Sequence, residues 1–225
     1  MKSVKDTTMA IRPESKKSVK DTTMAIRPKT TKEVYGTMAL DTKKLYTTKD
    51  IEALPEGVRA ELIDGEIFYM ATPNTIHQGL LAELSYEFLR YQKGSGKKCR
   101  TYFAPYAVFI NRDEYNYLEP DLLIICPHGE GDDRHQRDGC HGGPDFVLEI
   151  VSPSSKRMDY LRKLSKYEET GVREYWIVDP QTEQVFVYEF EKDSLAPTQY
   201  TFEDTIPVGI YGDFSIDFKE LDFRM

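Results

Sequence analysis

A single glutamate inside an otherwise apolar run limits what this chain can fold into. The run FVLEIV at 146–151 is apolar on both sides of Glu149. Strands of that composition are usually covered on both faces by the rest of a sheet protein. Alternation along a strand sets Asp145, Val147, Glu149 and Val151 on one face. An ionised carboxylate there costs several kcal/mol unless a cation or a set of donors receives it. Asp145 cannot share a metal with Glu149, because about 13 Å separates them at ~3.3 Å per residue. The next stretch, 156–170, has helical character and ends at Gly171, a residue suited to a helix C-terminus. It leads directly into EYWIV at 174–178, a second buried strand. Strand, helix, strand is a βαβ unit, so the chain is of the α/β class with at least one parallel strand pair.

The rest of the globular sequence fits around that unit. Thr47 or Thr48 is placed to cap a short helix through Asp50, Ile51 and Leu54. Asp64-Gly65 separates two β-rich runs, 59–63 and 66–70, and predicts a hairpin. Asn74 is placed to cap a helix over 75–93, with Ile76, Leu80, Leu81, Leu84, Phe88 and Tyr91 on one face and Gly94-Ser95-Gly96 at its end. Strands are expected at 99–103, 106–110, 121–126 and 145–151, and beyond 184 to the C-terminus. A polar, glycine-rich loop is expected at 127–143. Residues 1–45 read differently. Residues 2–13 recur unchanged at 17–28, and a decayed third copy runs from 32 to 40. Two polar copies cannot bury a core, so 1–45 is expected to be a disordered duplicated segment, and 46–225 one α/β domain.

Composition removes several function classes. With 40% hydrophobic residues, 15 Tyr and 11 Phe in 225 residues, the chain can build a core and is not wholly disordered. No apolar run approaches the roughly 18 residues needed to cross a bilayer, and the N-terminus has no apolar stretch of signal-peptide length. Cys99, Cys126 and Cys140 are an odd set without framework spacing, which suits reduced thiols in a cytoplasm. The net charge of −8 argues against holding nucleic acid by bulk electrostatics, so any such contact needs local basic groups. Arg90, Lys93, Lys97, Lys98 and Arg100 form one such cluster, and Lys156, Arg157, Arg162 and Lys166 another.

Three residues carry the chemistry that the spacing suggests. Asp121 opens the strand LLIIC at 122–126, and two neighbouring strands each presenting one carboxylate suit a hard divalent cation. On the helix after Glu149, Met158, Leu161 and Leu164 form an expected core stripe. Asp159, Lys163 and Tyr167, with Lys156, form a polar stripe. The βαβ connection brings that helix over the strand of Glu149, so Lys163 can reach the carboxylates. The loop 126–141 collects Cys126, His128, His135, Cys140 and His141, but no CxxC or HxxxH pair. A mobile or substrate-closing loop, with Arg134 and Arg137 as phosphate contacts, is the better reading than zinc.

These residues resemble a known family. ELIDG at 61–65, His77, Pro120-Asp121, PDFVLEIVSPS at 144–154, Lys163, Tyr167 and GVREYWIVDP at 171–180 are similar to the Uma-type restriction endonucleases of the PD-(D/E)XK nuclease superfamily. The resemblance implies a restriction-endonuclease-like fold, a mixed central β-sheet flanked by helices. It implies Asp121 and Glu149 as the acids that bind Mg²⁺ (or Mn²⁺). The superfamily's lysine usually stands two residues after the acid, but position 151 is Val. In this family it is moved to the following helix, which again points to Lys163. Glu61 and His77 are supporting residues, with Asp159 and Tyr167 beside Lys163.

The expected function is metal-dependent hydrolysis of phosphodiester bonds in nucleic acid, DNA above all. A homodimer is expected by analogy, since two-strand cleavage uses two sites. The alternative is a catalytically silent nucleic-acid-binding or assembly domain of the same fold. That alternative needs only a basic groove, whereas a nuclease needs Asp121, Glu149 and Lys163 to converge. A hydrolase of a smaller phosphate ester is a third reading.

Overall fold

The computed structural model describes residues 44–110, 113–152, 158–192 and 196–224, with the side chains of 158–160 left out. The N-terminal repeat, Lys156 and Arg157 lie outside the described residues.

Among the described residues the first element is helix α1 (Thr48–Glu52), where Thr47 and Asp50 form the expected cap: the Thr47 N–H donates to Asp50 Oδ2 at 2.8 Å. Strands β1 (Ala60–Ile63) and β2 (Glu66–Tyr69) pair as the predicted hairpin. Its turn places Asp64 and Gly65 both at positive φ, 51° and 73°. That is the backbone an Asp-Gly turn adopts to match the twist of its strands. Leu62 and Tyr117 exchange both backbone hydrogen bonds at 2.8 Å, which fastens the hairpin to the body of the domain.

Helix α2 (Thr75–Ser95) starts where Asn74 Oδ1 accepts the His77 N–H at 2.9 Å and ends at Gly96. It leads into β3 (Arg100–Phe103), β4 (Val108–Phe109), β5 (Leu122–Ile125), β6 (Cys140–His141) and β7 (Phe146–Ile150). A π-helical segment, Met158–Lys163, then continues into α3 (Leu164–Glu169) and β8 (Glu174–Asp179). The chain closes with β9 (Gln184–Glu189), β10 (Thr198–Thr201), β11 (Thr205–Pro207) and β12 (Ser215–Asp217).

Six strands form the main sheet in the order β10-β9-β8-β7-β5-β3, with β7 and β8 parallel and the other neighbours antiparallel. The sheet is mixed, as expected, and its parallel pair is the predicted βαβ unit. Alternation sorts the side chains into two cores. Phe146, Leu148 and Ile150 meet Leu80, Leu84 and Phe88 of α2, with Trp176 and Val178 beside them. Val147 and Val151 point the other way, toward Tyr167 of α3, Tyr175 and Ile177. Each face is therefore covered by a helix, which explains the continuous apolar strands.

Three expectations need correction. The loop expected at 127–143 contains β6, which runs parallel to β4. Cys99 and Cys126 are not free thiols but a disulfide. Arg100 pairs with Ile125 across β3 and β5, so the next position outward sets the two cysteines side by side. The third correction concerns the helix after Glu149. Leu161, expected in the core, is 62% exposed, while Lys163 and Tyr167 of the expected polar row are buried. A π-helix turns less per residue than an α-helix, so a stripe drawn at 3.6 residues per turn misplaces Leu161. Lys163 and Tyr167 are buried because the sheet below offers them a carboxylate.

Candidate active site

The register of β5 and β7 brings the two acids together. Leu122 pairs with Leu148 across the antiparallel ladder, and one position further Asp121 faces Glu149. Side chains at opposed positions share a face, with Cβ atoms about 5 Å apart. Pro120 has no N–H to extend the ladder past Asp121. The side chain takes over: Asp121 Oδ2 accepts the Ile150 N–H at 2.8 Å. The same oxygen lies 3.1 Å from His77 Nε2. His77 sits in the first turn of α2 with its Nδ1 buried and without a hydrogen-bond partner. A proton on Nδ1 would be a buried donor with no acceptor, so the ring donates to Asp121 through Nε2–H.

Glu149 lies on the face covered by α3. Its Oε1 accepts from Lys163 Nζ and from the Tyr167 hydroxyl, both at 2.9 Å. Lys163 and Tyr167 are one helical turn apart, which is the connected row that the spacing predicts. Lys163 Nζ also lies 2.9 Å from Glu61 Oε1, and the backbone N–H of Glu119 donates to that oxygen at 3.0 Å. Glu61 is therefore a buried member of the cluster, 5% exposed, because β1 is fastened against the segment that leads to Asp121. Burial pushes the Tyr167 phenol well above its ordinary value of 10, and the neighbouring Glu149 carboxylate raises it further, so it stays a donor.

Asp121, Glu149, Lys163, Glu61 and His77 line a single cavity of about 660 Å³. Tyr167 holds Glu149 from α3, from the same side as Lys163. The side chain of Asp159 is outside the described residues. Asp145 is fully buried and committed elsewhere: it receives Arg134, Arg173, the His128 ring and the Cys126 N–H. Arg134 is thereby tied to Asp145, Asp132 and the carbonyls of Cys126 and Gly143, not turned outward as a phosphate contact.

The loop's other candidate ligands are dispersed. The His135 ring meets the Tyr102 hydroxyl at 2.7 Å, and His141 meets Asp138 at 3.1 Å. Cys140 is buried. Among the described residues no group of three or more His, Cys, Asp or Glu side chains is arranged to hold a metal. Two opposed carboxylates fit an ion that takes its other ligands from water and substrate oxygens, as Mg²⁺ and Mn²⁺ do, and not an all-protein zinc site.

Of the seven described residues in the expected basic clusters, four are paired with acids. Arg162 meets Glu66 at 3.0 Å, Lys166 meets Asp64 at 2.6 Å, and Lys97 meets Asp213 at 3.1 Å. Arg90 pairs with Glu87, while Lys93, Lys98 and Arg100 are exposed. Lys166, like Arg162, ties the helix back to the hairpin that carries Glu61.

The mixed sheet with a helix on each face is a restriction-endonuclease-like fold. The chain belongs to the Uma2 family, whose description reads "Putative restriction endonuclease" and whose model matches residues 48–219. A crystal structure titled as a putative nuclease of the DUF820 family from Anabaena variabilis is similar, with a TM-score of 0.62 and 19% identity. The match covers 78% of this chain and 96% of that one. At that identity it shows a common fold. No curated protein matches the chain. No helix among the described residues is long and apolar enough to cross a membrane.

Proposed function

We propose that the chain is a Mg²⁺- or Mn²⁺-dependent endonuclease that hydrolyses phosphodiester bonds in DNA, with Asp121 and Glu149 as the metal-binding acids and Lys163 as the catalytic cation. The observation that carries this reading is the meeting of Asp121, Glu149 and Lys163 in one cavity from three separate segments. When bound, the ion supplies a water of lowered pKa and neutralises charge on the scissile phosphate.

The chain's own groups do the rest. His77 and the Ile150 N–H hold one oxygen of Asp121, and Lys163 and Tyr167 hold one oxygen of Glu149, so both carboxylates are oriented before substrate arrives. Lys163, charged between two glutamates, is placed to stabilise negative charge that develops on the phosphate oxygens or to orient the attacking water. Glu61 is a second carboxylate on that ammonium and would keep it in place if Glu149 held an ion. A homodimer would pair two such sites.

The test compares wild type with Glu149→Gln on plasmid and single-stranded DNA, with Mg²⁺ or Mn²⁺ and with a chelator. Cleavage by wild type alone, abolished by the chelator, supports the reading. Equal activity in both proteins refutes the site. No cleavage by a folded protein that still binds DNA makes the domain a binding or assembly module.

A further inference from the structure

The cavity that holds the acids is also lined by apolar side chains that phosphate chemistry does not use. Ile67, Tyr69, Met70 and Ile76 line it together with Asp121 and Glu149. Tyr69 is 69% exposed and Ile76 48%. Ile67 and Tyr69, two positions apart, share one face of β2, and Ile76 comes from the first turn of α2, so two separate elements build the apolar rim. The cations on the cavity wall among the described residues, Arg59 and Lys163, are both paired with buried acids, Glu119 for the first and Glu61 and Glu149 for the second. A strand held here is therefore gripped by more than free positive charge.

Because the rim and the acids share one cavity, whatever covers the rim belongs to the molecule whose phosphate meets the acids. The apolar, flat part of a nucleic acid closest to a phosphate is the attached base. In an intact duplex that face is stacked on its neighbours and cannot reach an aromatic side chain. In an unpaired strand it is available, and every base has a face on which an aromatic ring can stack.

Resting on the nuclease reading above, we propose that the cleft takes a strand whose base beside the scissile phosphate is unpaired, and that Tyr69, which lines the cavity with Ile76, is the surface on which this base stacks. Tyr69 thereby sets the preference for single-stranded over duplex DNA.

The experiment is fluorescence anisotropy with a labelled single-stranded oligodeoxynucleotide, the blunt duplex of the same sequence, and the same single strand carrying abasic positions. Ca²⁺ replaces Mg²⁺ so that bound strands are not cut. Wild type is expected to bind the single strand more tightly than either the duplex or the abasic strand. Tyr69→Ala is expected to weaken single-strand binding about 10-fold, the scale of one lost base stack, and to leave duplex binding unchanged. Tyr69→Phe keeps the ring and should bind as wild type does. Unchanged single-strand binding by Tyr69→Ala, or an equal loss on single strand and duplex, overturns the proposal. Metal-dependent cleavage by wild type is measured in parallel. Cleavage without a Tyr69 effect sinks the stacking surface and leaves the nuclease. Absence of cleavage on every substrate sinks the reading on which the proposal rests.

Discussion

Lys163 Nζ lies 2.9 Å from Glu149 Oε1 although the two residues are carried by a helix and a strand, 14 positions apart in the chain. A lysine two residues after Glu149 would share its strand face. Here that position is Val151, which packs into the core under α3. The ammonium arrives instead from above, and the same helix brings Tyr167 to the same oxygen. The cation is thus held by tertiary packing, and its loss has consequences for both folding and catalysis.

Lys163→Met leaves Glu61 and Glu149 buried beside each other with no cation between them. Removing one partner of a buried pair typically costs about 3–5 kcal/mol. The two stranded carboxylates are then easier to protonate in the folded state than in the unfolded one. The variant's stability deficit should therefore shrink as the pH is lowered and grow as it is raised. Urea unfolding of wild type and variant across the acid-to-neutral range measures this, and a deficit independent of pH contradicts it.

His77→Ala removes the ring that orients Asp121 without touching the carboxylate itself. Loss of such a positioning partner usually lowers metal affinity or activity about 10–100-fold. The Mg²⁺ concentration giving half-maximal cleavage should rise while the KM for DNA stays near that of wild type. An unchanged metal dependence would mean that the Ile150 N–H alone suffices to hold Asp121.

Cys99 and Cys126 close a loop with a sequence separation of 27. Reduction should lower the unfolding free energy by about 2–4 kcal/mol. Thiol titration in denaturant should find one reactive group in the oxidised protein, that of Cys140, and all 3 cysteines after reduction. Three thiols without reductant would show the pair to be reduced in solution.

Asp132 is held well below its ordinary value of 3.8, chiefly by hydrogen bonds from the Arg134 guanidinium and also by the backbone N–H groups of Arg134 and His128. A depressed folded-state pKa gives stability that is present above 3.8 and is lost as the pH falls through the folded value. Asp132→Asn should accordingly destabilise the protein at neutral pH and lie closer to wild type in strong acid. Thermal melts at neutral and at strongly acid pH would show the gap close, and a constant gap would refute the linkage.

Much of this architecture is legible one segment at a time. The Asp64-Gly65 turn, the Asn74 cap of α2 and the paired runs around the βαβ unit are local signals, each decided by backbone preference or by the alternation of apolar residues. Glu149 stands out for the same reason, as a charge where its strand has none. The phase of the helix after it is not legible, because a π-helical start depends on what the helix packs against. That packing left Leu161 exposed where the spacing put it in the core. The disulfide partner of Cys99, the commitment of Arg134 to Asp145 and the strand inside the 127–143 loop depend on register and docking between distant segments.

From the sequence alone follow the α/β class, the buried acid and the helix that had to answer it. Only the tertiary structure decided that Asp121 stands opposite Glu149, that Glu61 and Tyr167 complete the cluster, and that an apolar rim shares its cavity. The physical reason is that propensity and periodicity act over a few residues. A buried charge, by contrast, is satisfied by whichever side chains the whole fold brings within hydrogen-bonding distance.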